Sequence, residues 1–323
     1  MKIVYYDSGW PINIGNAFID MGAQYQIRQA APQSELYIAG EMPKWLAWIN
    51  RADMGRVVDV AEIMETDFIV VAGMTLCDEF IEVQGPVLRK MAARGVKIIF
   101  LGASLYLYTQ TEIDNFKRFL EKLKPHGFMS RDRESFNHFK DLAPSYDGVD
   151  CAFFVREAFQ PAKLTVKDFV IYNFDAMDEP EIEVHGKKIL RTQHACFEVT
   201  PSSFDRSRKT YYFKNRWPFI QRNNEAAKKF YGRDGMMISD IPDDYLHLFA
   251  NTYATYSDRV HACIPTLSFG NKARLYTTSS RALLFDRAGV GDVKTKLVSL
   301  NQEKIDTEKK SQIEYLRQLF KRG

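Results

Sequence analysis

Along the first half of the chain, short apolar runs alternate with segments whose apolar residues recur every three or four positions. That alternation predicts strands and helices in turn. Lys2 to Asp7 reads as a strand, followed by a loop from Ser8 to Gly15 and a helix from Asn16 to Ala30. Glu35 to Ala39 reads as a second strand, and Pro43 opens a short helix. Asp67 to Ala72 and Lys97 to Leu101 are near-continuous apolar runs ending at Gly73 and Gly102, the pattern of strands buried on both faces. Asp78 to Ala93 is expected as a helix. So is Thr111 to Lys124, with Ile113, Phe116, Phe119, Leu120 and Leu123 on one face. A short strand from Gly127 to Ser130 leads into a helix that begins at Asp132.

The alternation resumes beyond Phe159-Gln160-Pro161-Ala162. Strands are expected at Lys167 to Phe174, Met236 to Ser239, Thr252 to Tyr256 and Ala273 to Tyr276. Helices are expected at Asn224 to Tyr231, Pro242 to Ala250, Val260 to Phe269 and Ser280 to Ala288. The stretch from Asp178 to Thr200 is less regular, and His185-Gly186-Lys187 fits the turn of a hairpin. In the charged tail from Lys294 to Gly323, Ile313, Leu316, Leu319 and Phe320 form a helical stripe that would dock on a domain surface. Two α/β blocks with parallel sheets follow, at residues 1–160 and 161–323, the second including a helical tail from about 294.

Composition narrows the class. A length of 323 residues favours two domains, and 46% hydrophobic with 26% charged residues is globular rather than disordered. With 44 basic and 41 acidic residues the net charge is +3, too mild to imply a nucleic-acid partner. No apolar stretch approaches the ~18 residues of a membrane helix. Asp7 interrupts the first apolar run, so no signal-peptide segment is read, and a cytoplasmic location is the expectation. Cys77, Cys151, Cys196 and Cys263 form no CxxC pair, and the histidines show no HxxxH spacing. Neither a metal nor a resident cofactor is called for.

Three segments join a strand to a helix and carry polar chemistry. In Ser257-Asp258-Arg259-Val260-His261-Ala262, Arg259 and His261 stand at a helix N-terminus. Unpaired N–H groups, a guanidinium fork and an imidazole there suit a small anion. The alternative is an Asp258 N-cap with a surface arginine and a core histidine. The loop from Asp7 to Asn16 follows the first strand, where open α/β sheets bind ligands. Gly15 allows close backbone approach, and Asn13 and Asn16 can bond a sugar hydroxyl or cap the helix. It contains neither GxGxxG nor a P-loop. In Ser130-Arg131-Asp132-Arg133-Glu134-Ser135, Asp132 reads as an N-cap, which places Arg131 at the mouth of the interdomain cleft. Lys209, Lys214, Arg216 and Arg222 surround Tyr211, Tyr212, Phe213 and Trp217, which fits either a glycan or nucleic-acid contact or side-chain stems packed on a core. Among the remaining histidines His194 stands out.

Taken in order, these segments resemble the polysaccharide pyruvyl transferase family. Asn13-Ile14-Gly15-Asn16 is similar to its early Asn-x-Gly-Asn/Asp motif. The strand-to-glycine turns at Gly73 and Gly102 resemble a pair in that family. So do Arg131-Asp132-x-x-Ser135, Asp150-Cys151-Ala152-Phe153 and Arg259-x-His261-Ala262. The chain departs from the pattern at Gly73-Met74-Thr75 and at Asn271-Lys272 after Gly270. It departs again at Arg281, where the family often has lysine, and in residues 175–215.

The resemblance implies two Rossmann-like domains facing a cleft, in a glycosyltransferase-B-like arrangement. It implies phosphoenolpyruvate as co-substrate and a sugar, oligosaccharide or lipid-linked glycan as acceptor, with a pyruvate ketal formed and phosphate released. Arg259 and His261 would be catalytic. Together with Arg131 and Lys272 they would bind the donor, while Asp7, Asn13, Gly15 and Asn16 would face the acceptor. A nucleotide-sugar glycosyltransferase or a non-catalytic glycan-binding relative of the same architecture are the alternatives.

Overall fold

The computed structural model describes residues 1–8, 13–73, 75–175, 177–194, 233–239 and 241–323. The expected helix at Asn224 to Tyr231 and the basic and aromatic residues from Lys209 to Arg222 lie outside them, as do Cys196 and Met74. The first sheet comprises β1 (Lys2–Tyr6), β2 (Glu35–Ala39), β3 (Phe68–Ala72), β4 (Lys97–Ala103), β5 (Gly127–Ser130) and β6 (Ser145–Asp147), ordered β2-β1-β3-β4-β5-β6. The second comprises β7 (Phe169–Asn173), β8 (Lys188–Thr192), β9 (Met236–Met237), β10 (Ala254–Ser257) and β11 (Lys272–Leu275), ordered β11-β10-β7-β8-β9. All these strand pairs are parallel. Each sheet therefore gathers its carboxyl ends along one edge, where α/β sheets bind ligands. β3 is buried along its whole length, as a strand covered on both faces must be. At the ends of β3 and β4, Gly73 and Gly102 turn with φ of 87° and 64°, conformations that strain an L side chain.

Helix α1 (Ile14–Ala30) joins the two halves. It starts two residues before the expected position because Asn13, in extended backbone, accepts a hydrogen bond from the Gly15 amide at 2.9 Å. It packs against the Cys151–Phe154 turn, the Val260–Ser268 helix, the Pro242–Asn251 helix and the C-terminal helix Gln302–Lys321. Gly22 makes this approach possible, since a Cβ there would lie 1.8 Å from the Cys151 carbonyl oxygen. Phe18 is fully buried and meets Phe249 edge-on, 6.0 Å between ring centres. Burying such a ring contributes about 1.5–3 kcal/mol, so packing across the joint is a substantial part of its cohesion.

Several elements differ from the sequence reading. The stretch Asp78 to Ala93 forms two helices, Asp78–Val83 and Gly85–Ala93, because Pro86 cannot continue the backbone ladder. No hairpin forms around Gly186. β8 runs parallel to β7, so residues 174–187 return to the starting edge and Gly186, at φ 67°, turns the chain into β8. β9 is only two residues long, β6 had no clear apolar signal, and residues 280–282 form a 3-10 turn before the Leu283–Arg287 helix.

The C-terminal helix is capped by Asn301, and its buried face includes Leu316, Leu319 and Phe320 of the predicted stripe, with Ile305, Lys309 and Gln312. The sequence reading grouped this tail with the second block, yet it crosses back to the first sheet. Leu319 fills the space beside Gly127, and Phe320 meets Phe68 edge-on at 5.1 Å. Among the described residues no helix is long and apolar enough to cross a membrane.

Candidate active site

The carboxyl edge of the second sheet builds one wall of the site. Asn173, fully buried at the end of β7, donates to the Thr192 carbonyl (2.9 Å) and hydroxyl (3.0 Å) and accepts from Ser257 Oγ (3.0 Å). Ser257 Oγ accepts in turn from the Arg259 amide at 2.8 Å. This chain of bonds fixes the turn from β10 into the Val260–Ser268 helix. Arg259, not Asp258, occupies the N-cap position, and its side chain makes no capping hydrogen bond. The Asp258 carboxylate instead accepts from the Met177 amide at 2.9 Å. Arg259 Nε bonds Asp175 at 2.9 Å and lies 3.6 Å from Asp258, so both carboxylates sit on its Nε side.

Behind His261 stands a buried ion pair from the first half. Asp150 holds Arg131 Nη1 at 2.6 Å, and Arg131 Nε donates to Ser104 Oγ at 2.8 Å. His261 Nε2 lies 3.4 Å from the same Asp150 oxygen, while the other oxygen accepts the Ala152 amide at 2.8 Å. Burial alone would raise the Asp150 carboxyl, but the Arg131 charge and His261 hold it well below the usual carboxylate range. Asp150 is therefore a fixed anion that ties the two halves together through His261.

Arg281 completes the cationic lining. Its guanidinium carbon sits 4.9 Å from the centre of the Tyr106 ring, across from the first half. Burial lowers its affinity for the proton, and the charges of Arg131 and Arg259 lower it further. Arg281 thus shares a field with Arg131 and Arg259, of which Arg131 is paired with Asp150 and Arg259 with Asp175.

The N-terminus of α1 closes the site from the other side. A Cβ on Gly15 would lie 2.2 Å from His194 Nε2 and 2.7 Å from His261 Cβ, so this position has no room for a side chain. His194 is 3% exposed, its amide donates to Asp175 (3.1 Å) and its carbonyl accepts from the Ile14 amide (3.0 Å). Burial pushes its imidazole down to about 3. Asn16 donates to the Ser8 carbonyl at 2.5 Å. Asp7, at the end of β1, accepts from the Glu41 amide at 3.3 Å.

Two more carboxyl groups lie beneath this corner. Burial pushes Asp20 up to about 7 even though Tyr5 Oη and the Ser8 amide donate to it, and pushes Glu41 up to about 8 against the opposing charge of Lys44. A raised carboxyl holds its proton more tightly folded than unfolded. The stability it brings is complete below about pH 4.5 and is lost as the pH climbs through about 8. Glu41→Gln keeps the shape without the titration. Its unfolding free energy relative to wild type is expected to rise by a few kcal/mol in order of magnitude from about pH 5 to about pH 8 and level off beyond, with the melting temperature following. Thermal melts across that range check it, and parallel curves for the two proteins would show that Glu41 is ionised throughout.

The model of the polysaccharide pyruvyl transferase family matches residues 13–279, most of the chain, including Arg131, Asp150, Asp175, His194, Arg259 and His261. The chain belongs to the polysaccharide pyruvyl transferase family. No curated protein matches it. Solved structures share the fold at low identity. The S. aureus MnaA–UDP complex has a TM-score of 0.55 at 12% identity, covering 98% of this chain and 91% of that one. UDP-GlcNAc 2-epimerase from Methanocaldococcus jannaschii, in complex with UDP-GlcNAc and UDP, has a TM-score of 0.53 at 10% identity, covering 100% of both chains. The architecture is thus the two-domain, glycosyltransferase-B-like α/β fold.

Within the pyruvyl transferase frame, the motifs divide into those that reach the cleft and those that brace it. Gly15 meets His194 and His261, and the Ile14 amide bonds the His194 carbonyl, so the Asn13–Asn16 turn lies against the start of the helix that carries His261. Arg131 does not stand at the cleft mouth. It is 2% exposed and committed to Asp150 and Ser104, because the turn after β5 points it inward. Asp132 caps the following helix through the Ser135 amide (2.7 Å), and Ser135 Oγ accepts from the Leu105 amide (3.1 Å). Lys272 is not brought to the site. It is the first residue of β11, about 10 Å from the carboxyl edge at Leu275, and its Nζ bonds Tyr253 Oη at 3.1 Å. Sequence reading assigned no role to Asp150, Asp175 or Arg281. Asp150 and Arg281 lay in view as a motif residue and a departure from the pattern; Asp175 carried no local signal. Among the described residues no three His, Cys, Asp or Glu side chains are placed to hold a metal ion.

Proposed function

We propose that this protein moves the pyruvyl group of phosphoenolpyruvate onto two hydroxyls of a sugar acceptor, forming a ketal and releasing phosphate. The observation that carries the reading is Arg259 and His261 at the start of the Val260–Ser268 helix, with Arg281 near enough to feel the Arg259 charge, in a chain of this family. Phosphoenolpyruvate presents a phosphate and a carboxylate, and guanidinium forks match both. The N-terminus of the Val260–Ser268 helix, where the Arg259 side chain makes no capping hydrogen bond, adds N–H donors.

In this reading Asp150 holds His261 Nε2, so the proton for the substrate resides on Nδ1. His261 delivers it to the methylene carbon, which becomes a methyl group. The neighbouring carbon turns electron-deficient and is attacked by a sugar hydroxyl. Its C–O bond to phosphate then breaks and the second hydroxyl adds. Of the two hydroxyl protons released, one restores His261 and the other leaves on phosphate. Asp150 stabilises the imidazolium before transfer, and Arg131 keeps Asp150 ionised. Asp7, Asn13 and Asn16 border the side left for the acceptor, with Asn13 and Asn16 also bonded within their own turn. Lys272 has no part in it.

The test is turnover. Incubation with phosphoenolpyruvate and a panel of sugars and glycan precursors should release phosphate and produce a ketal methyl signal by proton NMR. Consumption of a nucleotide sugar in place of phosphoenolpyruvate would replace this reading with a glycosyltransferase. Binding of glycans without any turnover would point to a non-catalytic relative.

A further inference from the structure

Gln312 lies midway along the C-terminal helix, beyond the matched family region, and is fully buried. Its Oε1 accepts from the Val149 amide at 2.7 Å, and its Nε2 donates to the Val149 carbonyl at 3.2 Å and to Gln26 Oε1 of α1 at 2.8 Å. One side-chain amide thus takes both backbone polar groups of one residue, as a neighbouring strand would. Gly148 gives it room, since a Cβ there would lie 2.4 Å from Gln312 Oε1. The same helix grips this connector a second time. Arg287 donates to the Asp147 carbonyl at 2.8 Å and pairs with Glu308 of the helix at 2.6 Å.

The residue that follows the held stretch is Asp150, between Arg131 and His261. A buried amide costs stability unless every polar atom is satisfied, and an apolar side chain would fill this place on the helix without that demand. The amide is spent on the residue next to the site's buried anion.

We propose that Gln312 is a positioning residue: through Val149 it sets the place of the Asp150 carboxylate and with it the orientation of the His261 ring. The C-terminal helix then belongs to the site as well as to the fold. The part that concerns phosphoenolpyruvate rests on the function proposed above; the part that concerns the His261 ring does not.

The experiment uses the full chain with ¹⁵N-labelled histidine. The chain has six histidines, and the His261 ring signals are identified by their loss in His261→Gln. Gln312→Met removes the amide at nearly constant volume. Its His261 ring nitrogens should shift in the same direction as in Asp150→Asn. Leu316→Ala, buried on the same helix but making no hydrogen bond to the connector, should leave them in place. Phosphoenolpyruvate binding should weaken roughly tenfold in Gln312→Met, a change of about 1.4 kcal/mol. Should Gln312→Met not fold, Gln26→Met removes the amide's second acceptor, together with Gln26's own bond to the Gly22 carbonyl, and should give a smaller shift of the same sign. His261 signals that move in Asp150→Asn but stay fixed in the Gln312 or Gln26 variant would overturn the proposal. If wild type does not bind phosphoenolpyruvate, the proposed function fails while the ring signals still decide this inference.

Discussion

Asp150→Asn is expected to lower the unfolding free energy by about 3–5 kcal/mol and to remove most turnover. Asp150 and Arg131 are 0% and 2% exposed, and their contact is 2.6 Å. Deleting the negative partner leaves a guanidinium buried without a counter-charge, which is the costly way to break such a pair. Denaturant unfolding reads the effect as a shifted midpoint with an unchanged slope. Replacing both partners by apolar residues, Arg131→Met with Asp150→Leu, should recover much of the stability, because no unpaired charge remains. It should not recover turnover, because His261 still lacks its anion. An Asp150→Asn protein as stable as wild type would contradict the pairing described here.

His261→Gln is expected to reduce turnover by about 10²–10⁴-fold, the usual worth of a placed general acid. The stability change should stay within about 1 kcal/mol, since the side chain is 15% exposed and lies in the first turn of its helix. Phosphoenolpyruvate affinity should fall much less than turnover, because the two cleft arginines remain. Steady-state kinetics with the acceptor found in the panel, together with direct binding, separate the two effects. Turnover at the wild-type level would mean that the proton comes from another group.

Local pattern made most of the fold legible. The buried runs at Phe68–Ala72 and Lys97–Ala103 and the one-sided helix Gln110–Leu123 stood out because a single periodicity governs each. Long-range pairing was not legible. Nothing in residues 174–187 announces that β8 will lie parallel to β7, and nothing in the tail announces that Leu319 will fill the space beside Gly127. The site follows the same rule. Arg259 and His261 announce themselves by standing two residues apart at a strand-to-helix turn. The inward turn of Arg131 depends on Asp150, nineteen residues away, and on Ser104. Lys272 misled because adjacency to Gly270 in sequence places it at the starting edge of β11, while chemistry gathers at the other edge.

The most direct measurement is the phosphoenolpyruvate dissociation constant by calorimetry, on wild type, Arg259→Ala and Arg281→Ala. Binding to wild type should weaken by at least roughly tenfold in each variant, since each loses a charge-assisted contact to the donor. Equal affinity in all three proteins, or no binding of phosphoenolpyruvate alongside clear binding of a nucleotide sugar, would contradict the account.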